Sequence, residues 1–311
     1  MACFQPNIAV AYGSREDGYK LKFIRHSDID RSLEDIRAVY GNSRVGKLMF
    51  LPCGHCVACA QDYARAWQGR IMCEYESRRE KGEEKSVFLT LTYINEPSSP
   101  DVAVSLLRQF IKDVRNKYGN GIKFFGCTER GSNTRRLHHH LILFGVDFED
   151  KEVCSKRGLF YCYRSKIADK LWSHGFVQIG SLDIKSAGYV SKYCDKKKIS
   201  GIADGESVIM SRGLGKEYFL KHKKEIFESD YLYFEGNKFK MPRIFIRWAL
   251  NDADFYLKVS AEDYQIRKEL VAASFRYDKC YSVQREEEAV IMQKEMLEYK
   301  KASEEVLRDV Y

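Results

Sequence analysis

The chain has 311 residues, of which 44% are hydrophobic and 13% aromatic. A composition of this kind can bury a substantial core, so it indicates a globular protein rather than a disordered one. The formal net charge of +8 favours a polyanionic partner such as nucleic acid, although the same charge is common on proteins that bind none.

Targeting and membrane signals are missing from the sequence. No apolar run reaches the roughly 18 to 20 residues of a membrane span, and the start MACFQPNIAV lacks the charged and long apolar parts of a signal peptide. We therefore expect no membrane association and a cytosolic location. In a reducing compartment the ten cysteines would not form a disulfide framework, so clustering among them indicates metal binding or chance.

Hydrophobic periodicity and turn residues predict the secondary structure. The first 50 residues show no clean period and predict irregular chain with short strands. The elements predicted after them are a helix over 60–81, a strand over 86–94, a helix over about 103–118, a hairpin of 122–129 and 137–145, a helix over 164–174, a strand over 176–180, a helix over 184–198, a hairpin over 231–242 and a charged helix over 285–311. The order β, α, β, β, α, β, α runs from residue 86 to 198.

Three consecutive histidines stand in the predicted strand RRLHHHLILFG, 135–145. Because side chains alternate along a strand, His138 and His140 share one face and His139 points to the other. Glu129 lies nine residues before His138, on the paired strand of the hairpin. Two imidazoles and a carboxylate would leave positions open on a metal ion, as in catalytic sites. The alternative is an ordinary polar strand edge.

Two tyrosines, Tyr189 and Tyr193, stand four residues apart in SAGYVSKYCDKKK, 186–198. On a helix they share one face. A phenol with a pKa near ~10 needs a cation on the scissile phosphate, or nearby lysines such as Lys192, before it can attack DNA. Attack would leave a 5′-phosphotyrosine and a free 3′-hydroxyl. The alternative is half-buried packing of the two rings.

Cysteines cluster in CGHCVAC, where Cys53, Cys56 and Cys59 form two overlapping CxxC units. Three thiolates need a fourth ligand for a tetrahedral structural Zn²⁺, and either Cys3 or His55 could supply it. The alternative is a reduced cluster that packs the start of the following helix.

Basic residues near these motifs are candidate DNA contacts or an ordinary solvated surface. They are Arg130, Arg135 and Arg136 in the hairpin turn and Lys196 and Lys197 after the tyrosines. GNSRVGKL, 41–48, comes close to a P-loop but has Leu48 where the Mg²⁺-binding Ser or Thr belongs. We therefore expect no helicase motor, and strand separation would come from a partner.

In combination these motifs resemble the HUH endonucleases that start rolling-circle replication. More narrowly, MACFQP, PCGHCVAC, LWSHGFVQIG, AGYVSKYCDKK and MSRGLG resemble the replication initiator of gokushovirus-type microviruses, which are small single-stranded DNA phages. The likeness covers about residues 1–245. It implies an α+β fold: a ferredoxin-like palm whose central antiparallel sheet carries helices on one face, with a cysteine knuckle and a C-terminal helical extension.

The resemblance also assigns roles to residues. It makes His138 and His140 metal ligands with Glu129 as the third, Tyr189 and Tyr193 nucleophiles, and Lys192 a positive neighbour of the phosphate. It favours Cys3 as the fourth cysteine ligand. One departure is His139, since the middle position is usually hydrophobic or Tyr; the alternation makes it non-ligating, and a slipped register would exchange the roles.

The sequence therefore predicts an enzyme that nicks and rejoins single-stranded phage DNA with Mg²⁺ or Mn²⁺. Its partners would be the origin DNA and the host helicase and polymerase, in the cytoplasm of a bacterial host. We expect an N-terminal segment over 1–60, an endonuclease domain over 61–245 and an extension over 246–311. The alternatives are an HUH transposase or relaxase, and a non-enzymatic, zinc-stabilised nucleic-acid-binding protein.

Overall fold

The structure, a computed structural model, describes residues 6–14, 18–24, 45–54, 56–131, 134–157, 160–192 and 207–250, together with the single residues 3, 34 and 38. Among these residues, those up to Asp62 belong to one compact unit and those from Tyr63 onward to a second. The predicted helix over 285–311 lies outside the described residues, and so does the second nucleophile candidate, Tyr193. The three-part division of the chain stays a prediction.

The first unit contains an antiparallel sheet. Its strands are β1 (Asn7–Ser14), β2 (Gly18–Ile24) and β3 (Val45–Leu51), in the order β2-β1-β3. Ile8 and Ala9 in β1 are buried. Strands were predicted in this segment, but they are longer than expected, with seven or eight residues each. The β1–β3 pair has one register shift between Val10 and Tyr12.

The second unit is built on a seven-stranded sheet with the order β10-β5-β6-β4-β9-β8-β7, and its strand pairs are antiparallel. The strands are β4 (Ser86–Thr92), β5 (Lys123–Arg130), β6 (Leu137–Phe144), β7 (Glu152–Arg157), β8 (Phe160–Arg164), β9 (Val177–Ser181) and β10 (Ser207–Met210). A separate hairpin is formed by β11 (Tyr231–Phe234) and β12 (Asn237–Lys240), and it turns at Glu235 and Gly236 as predicted.

The described helices lie between and after these strands. They are α1 (Val57–Arg79), α2 (Pro100–Tyr118), α3 (Lys166–Leu171), α4 (Ile184–Ser191), α5 (Lys216–Ser229) and α6 (Arg243–Leu250). No described helix is both long and apolar enough to cross a bilayer.

The centre of the sheet has the ferredoxin-like arrangement. Strands β4, β5, β6 and β9, with helices α2 and α3, follow the order β, α, β, β, α, β, and the strands lie side by side as β9-β4-β6-β5. The α+β, ferredoxin-like fold class is thus confirmed. The β7–β8 hairpin, inserted before α3, was not predicted. Residues 152–156 are exposed, so this strand has no apolar alternation that could reveal it.

One face of the sheet is covered by α2 and α3. Helix α2 begins where the Ser99 side chain accepts a hydrogen bond from the backbone N–H of Val102, and it buries a stripe that includes Leu107 and Phe110. This stripe packs in one core with Val87, Leu89, Leu91, Leu141 and Leu143. The strand predicted over 86–94 is therefore confirmed as β4, and its residues alternate in burial.

The other face of the sheet also carries helices. Trp67 and Ile71 of α1 pack in one core with Phe125 and Ile142 of the sheet, and this core includes residues of α4, α5 and α6. The resemblance implied helices on one face only, and the structure has helices on both faces. The second layer matters for function because it brings α4 onto the face that carries His138 and His140.

Candidate active site

Strand pairing places three polar side chains on one face of the sheet. In the β5–β6 pair, Glu129 is opposite His138 and Cys127 is opposite His140. Directly opposed residues point to the same face, and His138 and His140 are two residues apart. The hairpin therefore carries all three polar groups on one face, as its predicted geometry required.

The three side chains converge on one point. Nε2 of His138 lies 3.1 Å from Nε2 of His140. Oε1 of Glu129 lies 2.9 Å from the first of these nitrogens and 3.0 Å from the second. Glu129 and His140 are buried, whereas His138 is partly exposed, so the cluster opens toward solvent on the His138 side.

Hydrogen bonds behind the rings decide which nitrogens face the cluster. Nδ1 of His138 lies 3.3 Å from the carbonyl oxygen of Arg136. A carbonyl only accepts, so a proton on Nδ1 satisfies this contact and leaves the Nε2 lone pair available to a cation beside Glu129. On the neighbouring ring, Nδ1 of His140 lies 3.1 Å from the Thr90 hydroxyl. This is the outer-sphere pattern of metal-binding histidines.

His140 is further fixed by its surroundings. The Phe88 ring stacks on it with centroids 5.6 Å apart and planes 15° from parallel. Burial lowers the pKa of His140 although Glu129 acts in the opposite direction. The neutral, metal-binding form of the imidazole is therefore favoured. Two imidazoles and a carboxylate whose ligand atoms converge fit a divalent cation.

Helix α4 delivers a tyrosine to the same cluster. Its first turn is fixed by a reciprocal pair of hydrogen bonds, in which Asp183 and Ser186 each accept from the other's backbone N–H. One turn later the Tyr189 hydroxyl lies 3.3 Å from Nε2 of His140 and 3.4 Å from Oε1 of Glu129. The phenol of Tyr189 is therefore within hydrogen-bonding distance of two of the three ligand atoms.

A close approach of two helices positions α4. A Cβ atom on Gly188 would lie 2.7 Å from the amide nitrogen of Gln68 in α1, and that nitrogen donates to the carbonyl oxygen of Ile184 over 2.8 Å. The glycine before Tyr189 therefore leaves room for a side chain of α1 that binds the first turn of α4.

Comparisons with known proteins relate this chain to replication-associated proteins of phages. Residues 86–198 match a family model whose description is a replication-associated protein of the ORF2 type. Over 271 residues the chain is 29% identical to the Replication-associated protein ORF2 of Spiroplasma virus 4, and the match covers 79% of this chain and 80% of that relative. The chain resembles phage replication proteins. The resemblance predicted from the motifs is thus confirmed, and the matched segment contains all four residues of the cluster.

Two further relatives carry related names. The chain is 26% identical over 263 residues to the Replication-associated protein VP4 of Bdellovibrio phage phiMH2K, with 78% of this chain and 82% of the relative covered. It is 26% identical over 258 residues to the Replication-associated protein ORF4 of Chlamydia phage 1, with 77% of this chain and 61% of the relative covered. No solved structure matches the chain.

His139 lies on the opposite face, as the alternation predicted. Its Nδ1 is 2.9 Å from the Thr128 hydroxyl and its Nε2 is 2.5 Å from the Tyr93 hydroxyl. The residue is fully buried, and burial lowers its pKa to about 3. His139 is therefore a neutral core residue with both ring nitrogens hydrogen-bonded.

The arginines predicted to touch DNA already have partners within the chain. Arg130 pairs with Glu96 over 2.7 Å, and Arg136 donates to the backbone carbonyls of Tyr93 and Ile94. Arg135 has a positive φ of 56° and its carbonyl accepts from Arg130. These contacts shape the turn beside His138, and a DNA contact by any of the three stays a prediction.

The lysine candidates are described only in part. Lys192 is exposed at the end of α4, three residues after Tyr189, which places it near the same helix face. Lys196 and Lys197 lie outside the described residues. A phosphate contact by these lysines stays a prediction.

The cysteine candidates come together in the first unit. The Sγ atoms of Cys3, Cys53, Cys56 and Cys59 all lie within 4.8 Å of one another. The alternative fourth ligand, His55, lies outside the described residues. Like the Glu129 cluster, this group is compatible with a metal ion.

Sequence reasoning missed three residues that shape the active site: Thr90, Phe88 and Gln68. Thr90 and Phe88 share a face in the predicted strand, but only the register that pairs Thr90 with His140 reveals their role. Gln68 lies on a helix that was predicted from its apolar residues alone. The sequence around Gln68 does not indicate its contact with Ile184.

Proposed function

We propose that this chain initiates phage DNA replication by nicking single-stranded DNA at an origin, with Tyr189 as the attacking nucleophile. The observation that carries the proposal is the Tyr189 hydroxyl, which lies 3.3 Å from His140 and 3.4 Å from Glu129. A packed tyrosine needs only one hydrogen-bond partner, whereas this hydroxyl lies beside ligand atoms that converge as at a metal site, which disfavours a non-enzymatic nucleic-acid binder.

Glu129, His138 and His140 would hold the divalent cation, Mg²⁺ or Mn²⁺. When bound, such a cation polarises a phosphate oxygen and makes the phosphorus more electrophilic. The three ligands leave coordination positions for phosphate oxygens, which suit both ions. The hydrogen bonds to Thr90 and to the Arg136 carbonyl keep the Nε2 lone pairs of both histidines directed at this point.

Tyr189 would supply the covalent chemistry. Its oxygen attacks the scissile phosphorus, an O–P bond to the phenol forms, and the bond from phosphorus to the 3′-oxygen breaks. The departing 3′-oxygen takes up a proton, and the phenol gives up its own. Oε1 of Glu129, 3.4 Å from the hydroxyl, would be the acceptor within reach for the phenol proton. The products are a 5′-phosphotyrosine and a 3′-hydroxyl that can prime a polymerase.

Tyr193 would take the second transfer that frees and rejoins a unit-length strand, since it follows Tyr189 by four residues. Lys192 would contribute a positive charge near the phosphate. We further propose that a host helicase separates the strands and a host polymerase extends the 3′-hydroxyl, in the cytoplasm of a bacterial host. A transposase or relaxase would use the same chemistry and is distinguished by its DNA product, an insertion or a transferred strand instead of a circle.

The proposal is tested with the purified protein, Mn²⁺ or Mg²⁺, and single-stranded DNA that carries the phage origin. We expect a covalent adduct on a peptide that spans residues 186–196. Tyr189→Phe together with Tyr193→Phe should abolish the adduct and leave DNA binding intact. The matched control is Tyr233→Phe, an exposed tyrosine on β11, which should form adducts at the wild-type rate.

Two outcomes would overturn the assignment. Adducts that persist in the double variant would show that another residue attacks. A wild-type protein that binds origin DNA but never cleaves it, with either metal present, would favour the non-enzymatic alternative.

A further inference from the structure

We propose that Cys3, Cys53, Cys56 and Cys59 together bind one Zn²⁺ ion in a closed, four-thiolate structural site. The sulfur atoms have the spacing that such a site requires. Sγ of Cys3 lies 3.8 Å from Sγ of Cys56, and Sγ of Cys53 lies 4.0 Å from Sγ of Cys59. A tetrahedron with Zn–S bonds of about 2.3 Å has edges of about 3.8 Å.

The same distances argue against a disulfide pairing, because bonded sulfurs are about 2.0 Å apart. Simple packing of reduced thiols explains the cluster less well. Cys73 and Cys127 show what packing looks like in this chain: each is completely buried among apolar side chains. Cys3 and Cys53, by contrast, are partly exposed, yet they turn their sulfurs toward Cys56 and Cys59.

Backbone hydrogen bonds support thiolates at this point. The N–H of Cys53 donates to Sγ of Cys3 over 3.2 Å, and the N–H of Cys56 donates to Sγ of Cys53 over 3.3 Å. Donors aimed at sulfur stabilise negative charge on it and orient a metal ligand. Gly54, with a φ of +78°, gives the backbone a left-handed conformation directly after Cys53, which glycine adopts without strain.

The start of helix α1 adds a second electrostatic reason. The helix begins at Val57, directly after Cys56, and its first turn contains Cys59 and no acidic residue. Helix N-termini favour negative charge. Four thiolates around one Zn²⁺ carry a net charge of about −2, so a loaded site would supply the missing negative charge at this end of α1.

The structure also assigns the fourth ligand. Sequence spacing left Cys3 and His55 as alternatives, and Cys3 completes the set with a sulfur at tetrahedral distance from Cys56. A site of this kind would tie the segment before β1 to the loop after β3. It would close a chain segment of about 50 residues, which restricts the unfolded chain and stabilises the first unit.

The first experiment measures metal in the full-length protein, purified under reducing conditions. We expect one equivalent of tightly bound zinc, and after exchange with Co²⁺ the absorption bands typical of a tetrahedral four-thiolate complex. Cys3→Ser should weaken zinc retention at least tenfold and change the cobalt spectrum. The matched control Cys154→Ser removes an exposed cysteine outside the cluster and should retain all the zinc.

A second measurement needs no variant and therefore cannot be confused with misfolding. Titration of the wild-type protein with a thiol-modifying mercurial should release the zinc only as the four cluster thiols react, after exposed thiols such as Cys154. A further variant, His138→Ala with His140→Ala, should keep the full equivalent of zinc. Zinc that is retained in this variant is bound outside the proposed nicking centre. The two proposals can therefore fail independently of each other.

Two results would overturn the proposal. The first is a reduced wild-type protein that retains no zinc after reconstitution with the metal. The second is a Cys3→Ser protein that retains the metal and the unchanged cobalt spectrum while His55→Ala loses both, which would make His55 the fourth ligand.

Discussion

The Tyr189 hydroxyl lies 3.3 Å from Nε2 of His140, although the two residues are 49 positions apart in the chain. Their contact joins helix α4 to strand β6 at the point where Glu129 and His138 also converge. The residues around this contact allow predictions of Mn²⁺ affinity and of the free energy of unfolding.

The Thr90 hydroxyl should tune the proposed metal site through His140. Thr90→Val keeps the shape of the side chain but removes the hydrogen-bonding partner of Nδ1. We expect the dissociation constant for Mn²⁺ to rise by roughly 10-fold or more, because outer-sphere partners typically contribute 10- to 100-fold. The measurement is calorimetric titration with Mn²⁺.

Thr92→Val is the matched control for Thr90. Thr92 lies opposite His138 in the sheet, but its hydroxyl donates to the carbonyl of Phe176. An unchanged Mn²⁺ affinity in Thr90→Val, or an equal loss in both variants, would argue against orientation of His140 by Thr90.

His138 and His139 should give opposite results although they are neighbours. His139→Ala creates a cavity and leaves the buried hydroxyls of Tyr93 and Thr128 without this partner. We expect the free energy of unfolding to fall by about 2–4 kcal/mol, with Mn²⁺ affinity retained in the folded protein. His138→Ala should lose Mn²⁺ binding with little change in stability, since its ring is partly exposed.

Urea denaturation and Mn²⁺ titration of both histidine variants check this pair. The reversed pattern, with His139 needed for the metal and His138 for stability, would mean that strand β6 is shifted by one residue.

Gly175 should be intolerant of any side chain. A Cβ atom there would overlap the backbone carbonyl of Thr92, and the flanking hydrogen bond from Ile94 N–H to His174 O prevents the two segments from separating freely. Gly175→Ala should destabilise the protein by about 3 kcal/mol or more, because the clash is with backbone and not with a flexible side chain.

Gly121→Ala provides the comparison for Gly175. A Cβ atom at Gly121 would meet nothing within 4 Å, so we expect a change in the free energy of unfolding within about 0.5 kcal/mol. Thermal unfolding of both variants measures the difference, and similar melting temperatures would contradict the close approach at Gly175.

Much of the fold could be predicted because its signals are local. The alternation in β4 fixed which of its side chains face helix α2, and the spacing of His138 and His140 fixed their common face. The β7–β8 hairpin and the sheet of β1 to β3 escaped prediction because their strands lack a clear apolar period. Residues 152–156 are all exposed, so their strand has no alternation of apolar and polar residues by which it could be predicted.

In the candidate site, too, some residues could be predicted from local spacing and others could not. Chain spacing identified Glu129, His138, His140 and Tyr189 as candidates. It left Cys3 and His55 as alternatives, of which the resemblance favoured Cys3. Thr90, Phe88 and Gln68 became visible only through the register of β4 with β6 and the packing of α1 against α4.

The sequence by itself determined which side chains share a face, because a strand alternates every residue and a helix repeats every three to four. Tertiary structure alone decided which faces meet. The distance from Tyr189 to His140 depends on how closely α4 approaches the sheet, and that approach depends on Gly188, Gln68 and the second layer of helices. Contacts between residues far apart in the chain arise from packing, and no local period encodes them.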